Sequence, residues 1–327
     1  MLSVLDRIYA RFSNRRLFFR GGWGDRSMLE AAAGGALSSR PVSAEADLSW
    51  QTAEDLPGAT IRRGSFVSPA VEIGLPEESR VVSFEMILPA KSSLDTPLCI
   101  HFAATGDEGF SRRRIAIALP LAKAGIGSVI LENPYYGSRR PAGQQGKMLR
   151  HVSDLWKMGA AAVAEGTALV RRFRREGYRR LGVAGISMGG SMAAQTAAMT
   201  EEPLAVICFI TAHSASAVFT EGILSRYLAW DFLQRELDGR SEAVAWMRQI
   251  LSRTDVRNYP PPALARAAVL VGARRDAYIP AESVRLLHAH WPGSTLRWID
   301  TGHIGAFLFH RQAFLQAAKD AFRRLDG

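Results

Sequence analysis

From residue 97 to the end of the chain, short apolar runs alternate with longer segments in which apolar residues recur with helical spacing. The apolar runs predict buried strands, at residues 98–103, 127–131, 181–186, 204–210, 267–271 and 295–299. The segments between them predict helices, at residues 113–124, 153–175, 188–200, 280–290 and 306–324. This alternation is typical of an α/β fold, with a mostly parallel central sheet and helices on both faces. In such sheets ligands bind beyond the carboxyl ends of the strands, so the chemistry is expected in the loops after them.

The chain before residue 97 has weaker patterns. Residues 80–88 alternate apolar and polar side chains, with Val82, Phe84 and Met86 on one face, which predicts a strand. A shorter strand is predicted at residues 65–67. Residues 25–60 are rich in Ala, Gly, Ser and Glu without periodicity, and we expect a loose connection there.

Residues 1–24 combine apolar side chains at helical spacing with five arginines. Leu5, Ile8, Tyr9 and Phe12 share one face, which predicts an amphipathic helix. Two interpretations are open: the helix packs on the main domain, or it lies on an anionic membrane surface.

A helical stretch of about fifty residues, 213–262, separates two predicted core strands and is too long for a simple connection. We expect it to form a cap over the ligand site. Its aromatic residues, Trp230 and Phe232 among them, either pack within the cap or shape an apolar pocket.

The strongest local motif is Gly185-Ile186-Ser187-Met188-Gly189, which lies between a predicted strand and a predicted helix. In that context G-x-S-x-G forms a sharp turn that presents the serine as a nucleophile. A serine nucleophile requires a base, and the base requires an orienting acid. Asp276 and His303 each follow a later core strand, in the chain order Ser, Asp, His. Ser187, Asp276 and His303 are therefore the predicted catalytic triad.

The oxyanion formed during attack needs backbone N–H donors. We expect them from Met188 and from Thr105, in the loop after the strand at residues 98–103. Gly106, Asp107 and Arg112 lie in or beside that loop and are candidate substrate contacts.

Tyr135 and Tyr136 follow the strand at residues 127–131 and are candidates for one wall of the site. Core packing is the alternative role for both.

The formal net charge is +10, and most of the basic residues are arginines. They are scattered, without zinc-ligand spacing or an RNA-binding signature, so a nucleic-acid partner is not expected. Several fall in the predicted post-strand loops, where a basic rim would favour an anionic substrate such as an acidic lipid ester. They are Arg112, Arg113, Arg114, Arg139, Arg140, Arg274 and Arg275. A solvated arginine-rich surface is the competing interpretation.

Other features narrow the setting. Cys99 and Cys208 lie within apolar runs and are expected to be buried small side chains, with no metal or organic cofactor. The chain shows neither a secretory signal nor a stretch of roughly 18 apolar residues, so the cytoplasm is expected, with peripheral membrane contact as an option.

Several unusual runs resemble the alpha/beta-hydrolase domain-containing protein 18 family. They include Gly64-Ser65-Phe66-Val67-Ser68-Pro69, Glu132-Asn133-Pro134-Tyr135-Tyr136-Gly137, Phe219-Thr220-Glu221-Gly222 and Gly302-His303-Ile304. The resemblance covers nearly the whole chain. It implies the α/β-hydrolase fold and the same triad positions. We expect the hydrolase domain at residues 61–327, after an N-terminal amphipathic helix and extension at 1–60. Two departures are Ala104, where the family more often has glycine, and an additional glycine at Gly21-Gly22.

These features favour a serine hydrolase that cleaves a carboxylic ester of a small molecule or lipid. A thioesterase, a peptidase or an acyltransferase would use the same triad, and a non-catalytic scaffold would retain only the fold.

Overall fold

The computed structural model describes residues 2–35 and 45–327, so part of the predicted loose connection lies outside the described residues. One sheet of nine strands, in the order β1-β2-β3-β5-β4-β6-β7-β8-β9, organises the molecule. The strands are β1 Ser49–Leu56, β2 Ala59–Val67, β3 Val81–Pro89, β4 Leu98–Phe102, β5 Gly127–Leu131, β6 Leu181–Ile186, β7 Ala205–Phe209, β8 Ala268–Ala273 and β9 Thr295–Ile299. Neighbours from β5 to β9 pair in parallel, whereas β1, β2, β3 and β5 pair antiparallel. The expected α/β fold with a mostly parallel sheet is confirmed.

Helices cover both faces of the sheet and one end of it. They are α1 Val4–Ser13, α2 Arg26–Ala33, α3 Ser111–Arg113, α4 Leu119–Lys123, α5 Val152–Arg175, α6 Met188–Ala198, α7 Ala215–Thr220, α8 Trp230–Leu233, α9 Arg240–Leu251, α10 Ala281–His290, α11 His303–Phe309 and α12 Arg311–Asp326. A π-helical turn, Arg114–Ala118, joins α3 to α4. Short 3₁₀ turns lie at Val71–Ile73, Glu77–Ser79, Gly137–Arg139, Ile223–Tyr227, Gln234–Glu236, Ser252–Thr254, Val256–Asn258 and Ala265–Ala267. No helix within the described ranges is long and apolar enough to cross a membrane.

The core strands follow from their composition. Every residue of β4, β5, β7 and β8 is buried, which matches strands with helices on both faces. Their boundaries lie within two residues of the predicted ones, and β6 and β9 match them.

The expected loose connection at residues 25–60 is wrong for its described part, because α2 and β1 lie within it. β1 is an edge strand whose side chains are mostly exposed, so it lacks the apolar alternation of a half-buried strand. Residues 306–324, predicted as one helix, contain the end of α11 and most of α12.

The N-terminal segment is fastened to the rest of the molecule. After α1, Phe18 exchanges backbone hydrogen bonds with Tyr227 and Ala229 of the stretch between β7 and β8. The indole of Trp23 is fully buried and donates to the Leu233 carbonyl oxygen across 2.9 Å. The N-terminal extension therefore packs directly on the predicted cap, which contains α7, α8 and α9.

Candidate active site

Ser187 stands at the turn between β6 and α6 with φ 55° and ψ −121°, a conformation that a non-glycine residue rarely adopts. Its backbone N–H donates to the Phe209 carbonyl oxygen across 2.9 Å, which anchors the turn to β7. The strained turn lifts the serine side chain to the carboxyl end of the sheet, as the G-x-S-x-G motif predicted.

Two glycines of the motif are required by close approach. A Cβ at Gly185 would lie 2.1 Å from the Gly189 backbone, and one at Gly189 would lie 2.3 Å from the Phe102 carbonyl oxygen. Both distances are far inside van der Waals contact. Only glycine therefore lets β6, α6 and the end of β4 meet behind Ser187.

Asp276 and His303 lie in contact in the structure. The Asp276 Oδ2 and His303 Nδ1 atoms are 2.7 Å apart, and both residues are buried. The other Asp276 oxygen accepts from the N–H groups of Tyr278 and Ile279, at 2.8 and 2.9 Å. Because the carboxylate only accepts, Nδ1 carries the proton and Nε2 is left as the basic nitrogen.

His303 is the first residue of α11, three residues before the helix start that the sequence predicted. It lines one cavity together with Ser187. Among the described residues, neither the Ser187 hydroxyl nor His303 Nε2 has a hydrogen-bond partner, so both are available to a ligand. In unliganded enzymes this Ser–His contact commonly tightens only when substrate binds.

The cavity has a volume of about 400 Å³ and a mainly apolar wall. The predicted cap contributes Ala215, Val218, Phe219, Leu224 and Thr254. Trp230 and Phe232 are not among the lining residues: Trp230 is buried with its indole N–H on the Ser225 carbonyl oxygen, and Phe232 lies under Arg20 and Arg235. Both therefore have the packing role.

Thr105 and Met188, the expected oxyanion donors, lie side by side at the cavity, with Thr105 Oγ1 3.6 Å from Met188 Sδ. The Met188 N–H is the first of α6 and has no acceptor within its own helix. Asn133 Nδ2 donates to the Ala103 carbonyl oxygen across 3.2 Å and so fixes the start of the Thr105 loop.

The Glu132–Gly137 run therefore supports the Thr105 loop from behind. Glu132 Oε1 accepts from the Gly109 N–H at 2.7 Å, which fixes the far end of the same loop. Tyr135 and Tyr136 are buried in the core, where burial raises the pKa of both phenols, and neither lines the cavity. Gly106 does not line it either, so the structure does not bring these three candidate contacts to the ligand.

Asp107 does reach the cavity wall, but as the partner of Arg113. The two side chains are 2.7 Å apart, and Arg113 also donates to the backbone carbonyl oxygens of His101, Leu131 and Gly109. Since all these acceptors surround the Thr105 loop, the buried Arg113–Asp107 pair sets the shape of that loop.

The basic rim expected from the sequence is reduced to one arginine. Arg139 is buried against Glu165, Arg114 pairs with Glu85, Arg140 with Glu108, and Arg275 with Asp300, while Arg274 lies over Trp298. Arg112 remains at the cavity with more than half of its side chain exposed, and its guanidinium lies 3.9 Å from the Asp107 carboxylate.

Lys147, which the sequence analysis missed, also lines the cavity. Burial, together with the neighbouring Arg112 guanidinium, lowers the pKa of Lys147. Its ammonium makes no ion pair with any described residue. Lys147 lies in an irregular segment before α5 and follows no core strand directly, so no local signal marked it.

Asp6 of α1 is a second residue that the sequence analysis missed. It is fully buried, and its carboxylate accepts from the N–H groups of Ala277, His303 and Ile304 at 3.0, 2.8 and 2.9 Å. One sequence feature could have indicated a special role for it: Asp6 is the only acidic residue in a helix that carries Arg7 and Arg11.

Within residues 2–35 and 45–327, no group of three or more His, Cys, Asp or Glu side chains could hold a metal ion. Cys99 and Cys208 are free and buried, and burial raises the pKa of both thiols.

Solved structures with a similar fold include acetyl xylan esterase 1 from Thermoanaerobacterium sp. JW/SL YS485, with 16% identity and a TM-score of 0.61, covering 93% of this chain and 97% of that one. An acetyl xylan esterase from Paenibacillus sp. R4 has 15% identity and a TM-score of 0.59, covering 90% and 92%. Est1E from Butyrivibrio proteoclasticus, bound to ferulic acid, has 16% identity and a TM-score of 0.52, covering 84% and 99%.

These similarities show the α/β-hydrolase fold. The model of the family described as alpha/beta hydrolase domain containing 18 matches residues 16–244 and 238–324, which is nearly the whole chain. The chain therefore belongs to the alpha/beta hydrolase domain containing 18 family.

Proposed function

We propose that this protein is a serine hydrolase that cleaves a carboxylic ester through an acyl intermediate on Ser187. The observation that carries the proposal is the 2.7 Å contact between Asp276 and His303 beside the Ser187 turn, with Ser187 and His303 on the wall of one cavity. The proteins of similar fold that are named as esterases make an ester the first bond to test.

The reaction would proceed in two halves. In the first, His303 Nε2 takes the Ser187 proton while Oγ bonds to the carbonyl carbon, and the imidazolium then gives that proton to the departing alcohol. In the second, His303 takes a proton from water as the water attacks the acyl group, and Ser187 recovers the proton as the acid leaves. Asp276 keeps the imidazole in the required tautomer. The N–H groups of Met188 and Thr105 would stabilise both oxyanions, a contribution of roughly 10²–10³ in turnover for each donor.

The cavity favours an apolar acyl group with an anionic group nearby. Apolar side chains from α5, α6 and the cap surround Ser187, which suits a hydrocarbon chain. Arg112 and Lys147, which has no ion-pair partner in the described part of the chain, line the same cavity as Thr105, where they would attract an anionic part of the ester. An acidic lipid ester has both features.

Peripheral contact with an anionic membrane is supported by the outer surface of α1. The helix buries only Asp6 and Ala10, so its apolar side chains Leu5, Ile8 and Phe12 remain exposed beside exposed arginines. The exposed Leu308 and Phe309 of α11 lie on the neighbouring helix, and Leu308 also lines the cavity. A surface of this composition next to a ligand entrance suits binding to an anionic lipid bilayer.

The decisive experiment is labelling of the purified protein and of Ser187→Ala with a fluorophosphonate, measured by intact mass. One added phosphonyl group on the wild type alone supports an activated Ser187. Hydrolysis is then measured on p-nitrophenyl esters, a matched thioester and a matched anilide, with and without an alcohol acceptor. Faster turnover of the thioester or anilide, or transfer to the alcohol, would replace the ester hydrolase by one of the other triad activities. The absence of both labelling and turnover in the wild type would favour a non-catalytic scaffold.

A further inference from the structure

Asp6 is the only carboxylate of α1, yet it lies 297 positions before the histidine whose backbone it binds. It has no exposed surface, and its Oδ2 accepts from both the Ala277 N–H and the His303 N–H. Its Oδ1 accepts from the Ile304 N–H across 2.9 Å. One side chain thus joins the loop of the acid to the helix of the base.

The donors explain why a carboxylate is needed. His303 and Ile304 are the first two residues of α11, so their N–H groups have no acceptor within that helix. The residue before them, Gly302, provides no side-chain cap. Asp6 therefore caps α11 from another part of the chain, where its negative charge also suits the positive end of the helix dipole.

The approach of α1 is close and specific. A Cβ at Gly302 would lie 2.2 Å from the Ser3 Cβ and 2.7 Å from Asp6 Oδ1, so the Gly302-His303 pair lets α1 reach the base. Ser3 adds a backbone hydrogen bond to the Arg275 carbonyl oxygen, one residue before Asp276. Both triad loops are thus held from the same turn of α1.

Packing alone does not account for this arrangement. A buried carboxylate is costly unless it is fully hydrogen-bonded, and an apolar side chain at this position would leave three N–H groups without their acceptor. The three N–H donors belong to His303, to its neighbour Ile304 and to the neighbour of Asp276, and they direct the carboxylate toward the catalytic loops.

We propose that Asp6 is a positioning residue of the active site, which sets the distance and orientation between Asp276 and His303 through their backbones. The proposal rests on the proposed function only for its kinetic consequence. Since a misplacement of about 1 Å can cost roughly 10²-fold in rate, loss of this link should lower turnover more than it weakens substrate binding.

The test compares Asp6→Asn and Asp6→Ala with the wild type and with Asp300→Asn. In Asp6→Asn, either orientation of the amide turns its NH₂ toward at least one of the three N–H donors. Asp300 provides a matched control, because it lies in the loop between β9 and α11 but its carboxylate is 73% exposed and bonds to no described residue other than Arg275. The kcat is expressed per active serine, titrated with the fluorophosphonate, so that a smaller folded fraction does not lower the value.

We expect kcat per titrated serine to fall roughly 10²-fold in both Asp6 variants, with KM within about twofold of the wild type. Asp300→Asn should keep both constants. A second readout does not depend on turnover: the low-field proton resonance of His303 Nδ1, assigned by its loss in Asp276→Ala, should shift or broaden in Asp6→Asn. An unchanged kcat per titrated serine together with an unchanged resonance would overturn the proposal, even if the melting temperature falls. If the wild type neither labels nor turns over, the proposed function fails and the resonance alone decides the role of Asp6.

Discussion

The phenol ring of Tyr278 lies against the imidazole of His303, with the ring centroids 4.8 Å apart and the planes inclined by 32°. The Tyr278 N–H is at the same time bonded to Asp276 Oδ1 across 2.8 Å. The loop after β8 therefore holds the histidine in two ways, by a hydrogen bond from Asp276 and by the flat face of Tyr278.

This contact predicts different results for two substitutions of Tyr278. Its hydroxyl oxygen is buried without a partner among the described residues, so Tyr278→Phe should leave kcat unchanged and the free energy of unfolding unchanged or higher. Tyr278→Ala removes the ring that limits imidazole motion, and kcat should fall about tenfold or more. Equal kinetic losses in both variants, measured per titrated serine, would assign the role to the hydroxyl.

The wall that contains Arg112 and Lys147 predicts charge selectivity. Arg112→Ala or Lys147→Met should raise KM about tenfold for an ester with an anionic group, because a charge-assisted hydrogen bond is lost, and should leave a neutral ester of equal acyl length unaffected. Arg140→Ala is a suitable control, since Arg140 pairs with Glu108 and does not line the cavity. A larger loss on the neutral ester than on the anionic one would contradict an anion site.

The same wall predicts a pH effect. Lys147 attracts an anion only while protonated, and burial together with Arg112 lowers its pKa. Preference for the anionic ester should therefore decline as the pH rises through a value below that of an ordinary lysine. The ratio of kcat/KM for the two esters between pH 7 and 10.5 measures this, and Lys147→Met should show a ratio independent of pH. A wild-type ratio that stays constant over this range would argue against Lys147.

The space beside Gly159 predicts control of acyl length. Gly159 lies on α5 at the cavity wall, and a Cβ at this position would meet no described atom within 4 Å beyond the neighbouring residues and backbone of its own helix. Gly159→Phe should fill that space without straining the helix, so that long-chain p-nitrophenyl esters lose kcat/KM while the acetate ester keeps it. Ala160→Phe is the control: Ala160 is the next residue of α5, and this variant tests whether a large ring on the helix changes acyl-length selectivity by itself.

The sequence predicted the parts of the molecule that depend on local pattern. The strands buried on both faces, β4 to β8, consist of continuous apolar runs, and Ser187 stands in a turn whose glycines are dictated by close packing. Strand β1 was missed because an edge strand with exposed side chains carries little apolar periodicity.

The contacts that cross the chain could not be predicted in this way. Asp6 and His303 are 297 positions apart in the chain, and they meet only because the sheet between them folds and brings both ends of the chain to the same place. The same contact caps the first turn of α11, which begins at His303. The apolar periodicity had predicted that this helix starts at residue 306. Post-strand arginines such as Arg139 and Arg113 were assigned to a rim, but each has buried acceptors that no local pattern reveals.

His101 is buried in β4 with Nε2 3.1 Å from Ser128 Oγ. Burial, together with the nearby Arg113 guanidinium, lowers the pKa of His101 to about 3. In the unfolded chain a histidine has a pKa of about 6.5, so between these values the unfolded state binds more protons. The stability contribution is therefore fully present above pH 6.5 and is lost as the pH falls toward 3, by up to about 1.4 kcal/mol per pH unit.

Urea unfolding of the wild type and of His101→Gln at pH 8, 7, 6 and 5 measures this loss. The free energy of unfolding of His101→Gln should decline less steeply with falling pH, with a slope that corresponds to about one proton fewer, whatever its stability at pH 8. Parallel curves for the two proteins below pH 6 would mean that another group carries the acid sensitivity.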